Sequence, residues 1–212
     1  MKFKGILFDL DGTLIDSMED NYFAWKDALN DENISITKEE YYPLEGMPVI
    51  EIAKFFLKGK NYLLEDIQKI VGLKHKFYKE NHKIHFYQGV KEFIDYVKSQ
   101  NILIAIVTAS SYEKLNQTVP RDFLDRFDCL ISGNCTKKGK PYPDPYLIAA
   151  KRLGLTPKEC VVIENAPLGV ESAKNAKMFC IAIGSTIPKE KLKKADIFVD
   201  EFKNLTNLEQ FQ

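Results

Sequence analysis

The chain has 212 residues, 45% of them hydrophobic, and its 30 basic and 30 acidic side chains cancel to zero formal charge. That balance excludes the global basic field expected of a nucleic-acid binder, and the length suits one substantial core, or one core carrying an inserted smaller domain. The longest strongly apolar run, residues 102–107, is strand-length and far short of the roughly 20 residues a bilayer span needs, so no membrane partner is expected either.

Residues 3–10 read as a first strand, an apolar run ending in Asp9 and Asp11. Residues 17–30 then read as a helix with Phe23 and Leu29 among its apolar positions, and Thr37 and Glu40 have the spacing of a capping box. Two further helices are expected at 48–57 and 64–82, with Gly72 weakening the second. Nothing strand-like occurs between residues 16 and 86, so this stretch reads as an all-helical inserted cap, with Gln88-Gly89 returning the chain to the core. A helix follows at 89–100, where Val90, Phe93, Ile94 and Val97 share one face. Apolar runs at 102–107, 129–132, 160–163, 179–183 and 197–199 then alternate with helical segments at 145–153 and 167–176, and residues 188–195 read as a solvated helix or loop. Such alternation marks an α/β fold. The expected architecture is a Rossmann-like parallel sheet with helices on both faces, formed by residues 1–15 and 87–212, with the cap formed by 16–86. Cys129, Cys160 and Cys180 lie at or in apolar runs, and none of these or Cys135 has metal-ligand spacing. With no signal peptide visible in Met1-Lys2-Phe3-Lys4, a reducing, cytoplasmic setting is the default, and a monomer is assumed.

The acid pair stands out. Asp9 and Asp11 lie two residues apart in the sequence DLDGTLIDS, at the carboxyl end of the first strand. Neighbouring carboxylates repel, and when buried they require partners or a cation. The pair therefore points to a nucleophile and a metal; the alternative is a solvated strand end in an Asx-type turn. Thr108 closes the strand at 102–107, a place that equally suits a helix cap. Lys140 sits in Gly139-Lys140-Pro141-Tyr142-Pro143-Asp144-Pro145, where the prolines disfavour helix and strand and hold its charge on a rigid loop. Lys137 and Lys138 beside it read as solvated. Glu164 and Asn165 follow the strand at 160–163 and precede Ala166-Pro167-Leu168-Gly169-Val170.

These four segments, in this order and each after an expected strand, resemble the haloacid-dehalogenase-like phosphohydrolases over essentially the whole chain. The resemblance implies Asp9 as a nucleophile that forms an aspartyl-phosphate, and Asp11 as the acid that protonates the leaving oxygen and then activates water. It implies a phosphoryl cradle of Thr108 with Ala109 and Ser110, and neutralisation by Lys140. It also implies Mg²⁺ held among Asp9, Asp11, Glu164 and Asn165. The family usually carries two acids at the last pair; here the second is an amide, leaving open whether Asn165 coordinates through its oxygen or Glu164 takes over. Branches that cleave carbon–halogen bonds or phosphonates lack an acid where Asp11 stands, so phosphate-ester chemistry is expected.

The helical cap resembles that of the branch containing β-phosphoglucomutase and many small-metabolite phosphatases. There a glycine loop faces the active site, which makes Glu45, Gly46 and Met47 candidate substrate contacts. Hinges are expected near 15–17 and 86–88. The mutase holds a distal phosphate with a cap arginine, but residues 16–86 contain none. Hydrolysis of a small phosphorylated metabolite, a sugar phosphate or phosphoglycolate-like ester, is therefore favoured over a mutase or a non-catalytic regulatory protein. Lys54, Lys58, Lys74 and Lys76 read as solvated, and His75, His82 and His85 as exposed rather than metal-binding.

Overall fold

A computed structural model describes residues 3–59 and 61–211. Six parallel strands form one sheet: β1 (Gly5–Phe8), β2 (Leu103–Val107), β3 (Cys129–Ile131), β4 (Cys160–Glu164), β5 (Phe179–Ile183) and β6 (Ile197–Val199), in the order β3-β2-β1-β4-β5-β6. β1 lies at the centre, with Phe8 opposite Ile106 on one side and Ile163 on the other. Strands covered on both faces need apolar side chains at every position. The sequences GILF and LIAIV supply them, as does CVVIE up to the Glu164 that ends it, and all three are buried almost throughout.

Alternation sends Ile6, Phe8, Ile106 and Ile163 to one face, against Val90, Phe93, Ile94 and Val97 of α5 (Val90–Ser99) and against Phe202 and Phe211 of two closing 3-10 turns. Leu7, Val107 and Val162 face the other way, onto Tyr146 and Ala149 of α8 (Asp144–Arg152) and Val170 and Ala173 of α9 (Pro167–Asn175). The Rossmann-like parallel sheet with helices on both faces is thus as expected.

The cap comprises α1 (Met18–Asn30), α2 (Lys38–Tyr41), α3 (Val49–Phe56) and α4 (Leu64–Asn81). It has its own core around Trp25, Leu29, Tyr41, Ile52 and Ile70, joined through Tyr42 to the cluster on one sheet face. Trp25 is the anchor of α1, while Phe23, expected among its apolar positions, is 46% exposed. Thr37 and Glu40 form the capping box at α2. Two chain crossings join cap and core side by side: Asp16 donates its backbone N–H to the His85 carbonyl at 2.8 Å, and Tyr87 donates to the Leu14 carbonyl at 3.2 Å.

Other differences are local. The first strand ends at Phe8, because the N–H groups of Leu14 and Ile15 both turn back to the Leu10 carbonyl. Two short helices, α6 (Tyr112–Thr118) and α7 (Arg121–Leu124), fill a stretch with no clear periodicity. Residues 188–195 contain only a 3-10 turn, Lys189–Lys191.

Candidate active site

The strand order reverses between β1 and β4, and at such a switch point the carboxyl ends of neighbouring strands leave a crevice open to a ligand. Asp9 leaves β1 there, Thr108 leaves β2, and Glu164 ends β4. Lys140 reaches in from the loop before α8. Its ammonium donates to Asp9 Oδ1 and Glu164 Oε1, each at 2.6 Å, and to the Val107 carbonyl at 3.2 Å. An ammonium has three N–H bonds, so this one is fully committed. Burial works against its charge, but the carboxylates of Asp9 and Glu164 win and hold the Lys140 pKa above the ordinary lysine range.

Glu164 is enclosed. Oε1 also accepts from the Tyr146 hydroxyl at 3.0 Å, and Oε2 accepts from the N–H groups of Asn165 and Ala166 at 2.9 and 3.0 Å. Gly169 makes room for it, since a Cβ there would stand 1.6 Å from Glu164 Oε1. These contacts fix Glu164 as the holder of Lys140 and leave its oxygens little freedom to do anything else.

Asp9 differs. Its pKa stands well above the usual carboxylate range, first because it is buried, and then because Glu164 and Asp11 add like charge against the attraction of Lys140. Only Oδ1 is hydrogen-bonded; Oδ2 has no such partner among the described residues. A buried carboxylate short of positive charge, with one oxygen free, suits both a nucleophile and a hard cation.

Asn165 is the second oxygen donor on that side. Its Oδ1 accepts from the Thr13 hydroxyl and its Nδ2 donates to the Thr186 hydroxyl, both at 2.9 Å. Gly12, at φ +83°, turns the chain past this amide so closely that a Cβ would meet Nδ2 at 2.1 Å. Among the described residues no three His, Cys, Asp or Glu side chains converge on one metal position. The available donors, one carboxylate oxygen and one amide oxygen, fit a hard cation that keeps much of its water.

Asp11 points away from Lys140 and towards the cap. Oδ1 accepts from the Ser17 hydroxyl at 2.5 Å and the Asn21 amide at 3.3 Å, and Oδ2 accepts from the Ser110 hydroxyl at 3.1 Å. Burial alone would raise its pKa; Lys114, Ser17, Lys74 and Ser110 together hold it below the usual value. Lys74 is the main correction to the sequence reading. It is 2% exposed rather than solvated, donates to Asn21 Oδ1 at 2.6 Å and lies 4.8 Å from the Tyr78 ring centroid. Burial, then the Lys114 charge, pushes it down to about 7, against the pull of Glu45 and Asp11. His82 is also less exposed than expected: its ring stacks on Tyr78 and bonds Asp20 at 2.7 Å.

Thr108 is buried, and its Oγ1 accepts the Ser110 N–H at 3.0 Å. Thr108, Ala109, Ser110, Lys140 and Gly46 line one cavity of about 340 Å³ between core and cap. Glu45 is turned onto the Tyr41 hydroxyl, and Met47 packs on the cap core. Ser17, Asn21, Lys114 and Tyr146 escaped the sequence reading as site residues, and Lys74 was read there as solvated. A signal existed for two of them: Lys74 lies on the same helical stripe as Ile67, Ile70 and Tyr78, and Asn21 on that of Met18, Trp25 and Ala28.

A doubly wound sheet with an acid pair at its switch point and a cap over it defines a hydrolase-type α/β enzyme fold. The sequence profile of the haloacid dehalogenase-like hydrolases matches residues 6–183, and the chain belongs to that family. It is 30% identical to hexitol phosphatase A of Escherichia coli over 99% of this chain and 96% of that one. It is 27% identical to the β-phosphoglucomutase of Bacillus subtilis, over 96% of this chain and 92% of that one. The crystal structure of β-phosphoglucomutase from Clostridium difficile superposes with a TM-score of 0.86 at 27% identity, covering 99% of this chain and 97% of that one.

Proposed function

We propose that this protein is a Mg²⁺-dependent phosphatase acting on a small phosphorylated metabolite of the sugar-phosphate kind, through an aspartyl-phosphate on Asp9. The observation that carries the proposal is the state of Asp9: a buried carboxylate with Oδ1 anchored on Lys140 and Oδ2 free to attack. A relative that is named a phosphatase and matches nearly end to end supports the same reading.

Asp9 Oδ2 forms a bond to phosphorus as the ester P–O bond breaks, and Asp11 gives its proton to the departing oxygen. Water then attacks the phosphorus, Asp11 takes the water proton, and the P–Oδ2 bond breaks to release phosphate. The contacts of Asp11 with Ser17, Ser110 and Lys114 favour its carboxylate form, which serves the second half. A phosphate dianion beside it favours the protonated form needed in the first. The N–H groups around Thr108 and Ala109 hold the phosphoryl oxygens, and the Lys140 charge, fixed on Asp9 and Glu164, offsets theirs from behind the nucleophile. Asn165 Oδ1 and the Asp9 carboxylate would hold Mg²⁺, which would neutralise phosphate charge. The cap closes the site from water.

Hydrolysis is preferred to phosphoryl return because residues 16–86 offer no arginine to clamp a second phosphate bidentately. Incubation with β-glucose 1-phosphate and its bisphosphate is expected to release free phosphate rather than the 6-phosphate. The central test is Asp9→Asn with p-nitrophenyl phosphate and Mg²⁺: turnover is expected to fall by on the order of 10³-fold or more. A variant as active as wild type overturns the mechanism.

A further inference from the structure

The cavity beside Thr108 has a lopsided wall. Its titratable lining residues are His75, Lys114, Lys137 and Lys140, with no aspartate or glutamate among them. Lys140 is committed to Asp9 and Glu164 at the reacting end. The other two lysines are not. The Lys114 side chain is only 15% exposed, and its ammonium donates to one atom, Ser110 Oγ, at 3.1 Å. The nearest carboxylate oxygen, Asp11 Oδ2, is 3.9 Å away, outside hydrogen-bonding range. Its position is fixed from the cap side by the Tyr78 ring, whose centroid is 4.1 Å off. Lys137 is exposed and makes no ion pair among the described residues. Burial together with the charges of Lys74 and Lys114 pushes the neighbouring His75 down to about 4, which reports a positive field on this side.

A cavity of about 340 Å³ exceeds what a phosphoryl group alone requires, so part of it receives the leaving group. A neutral polyol would leave Lys137 facing it without a counter-charge, and Lys114 with only the Asp11 carboxylate 3.9 Å away, which Asp11 needs for its own chemistry. Lys114 also stands beside Asp11, the residue that protonates the ester oxygen, so what it touches lies close to that oxygen. Resting on the phosphatase reading above, we propose that the enzyme selects phosphate esters whose leaving group bears a second acidic group near the ester oxygen, read by Lys114 and Lys137. The second group is a carboxylate or another phosphate; a lysine recognises either as a point charge.

The experiment compares kcat/KM on three esters with Mg²⁺: glycerol 3-phosphate, 3-phosphoglycerate and propane-1,3-diol bisphosphate. The wild type is expected to prefer one of the anionic esters to glycerol 3-phosphate by about tenfold or more. Lys114→Met and Lys137→Met each lower that ratio, mainly through KM, and Lys114→Arg recovers it; the anionic ester that loses more identifies the group. Lys137 is on the surface, so its variant keeps the test valid should Lys114→Met fold poorly. A wild-type ratio of one or less, or a ratio unmoved in both methionine variants, overturns this inference while p-nitrophenyl phosphate is still turned over. Absence of p-nitrophenyl phosphate turnover in the wild type instead removes the phosphatase reading, and this inference with it.

Discussion

Asn165 occupies a place where one more negative charge would change the balance of the site. Its amide is strung between the hydroxyls of Thr13 and Thr186, a two-sided arrangement that a carboxylate reproduces only on the accepting side. Asn165→Asp therefore turns Thr186 from an acceptor into a required donor and adds repulsion to Asp9, already short of positive charge. Without a cation the variant is expected to lose about 1–3 kcal/mol of stability. With Mg²⁺ the same charge attracts the ion, and the concentration giving half-maximal p-nitrophenyl phosphate hydrolysis is expected to fall by about tenfold. Melting with and without Mg²⁺ and a Mg²⁺ titration of the rate read the two effects separately. An unaltered Mg²⁺ dependence would mean that Asn165 is not a ligand.

At the scale of elements, β4 and α9 act as one piece, because Glu164 at the end of the strand lies against Gly169 in the first turns of the helix. Gly169→Ala places a methyl carbon 1.6 Å from Oε1, so the carboxylate must move and Lys140 loses its anchor. A loss of about 1–3 kcal/mol in urea unfolding is expected, together with a fall in turnover. Gly72 in α4 is the control: a Cβ there meets nothing within 4 Å, and Gly72→Ala is expected to stabilise by about 0.5–1 kcal/mol. Equal effects at the two glycines would refute the account. The same elements show what a sequence discloses. Buried parallel strands are apolar at every position, so the runs from Ile6 to Phe8 and from Ile102 to Val107 announced themselves, and the acids at their ends drew attention by contrast. Lys140 was legible because the prolines after it exclude regular structure. The helix α6 has seven residues, YEKLNQT, and buries only Leu115, too little to leave a period. Lys114 on it, and Lys74 on α4, were read as solvated or passed over because a lysine's usual place is outside, and only the packing of cap on core encloses them.

Over the whole molecule, that enclosure couples the two halves through charge. The ammonium of Lys74 sits where cap meets core, facing Asn21, Tyr78 and Trp25, within the fields of Lys114, Glu45 and Asp11. Its pKa is about 7 in the folded protein against 10.5 for a free lysine, burial being the largest cause. Below about 7 the folded state carries a charge that its surroundings disfavour, and the full penalty applies. Between about 7 and 10.5 the unfolded chain holds a proton that the folded protein has released, so the unfolded state binds more protons and stability rises with pH. The contribution of this one group to the slope cannot exceed about 1.4 kcal/mol per pH unit. Lys74→Met deletes it. The variant also leaves Asn21 Oδ1 without its donor, a cost of about 1–3 kcal/mol that does not vary with pH. The difference in unfolding free energy between variant and wild type is therefore expected to move steadily against the variant from pH 7 to 10, whatever its starting value. A difference that stays flat over that range would mean that Lys74 keeps its proton, and that the carboxylates of Glu45 and Asp11 outweigh its burial.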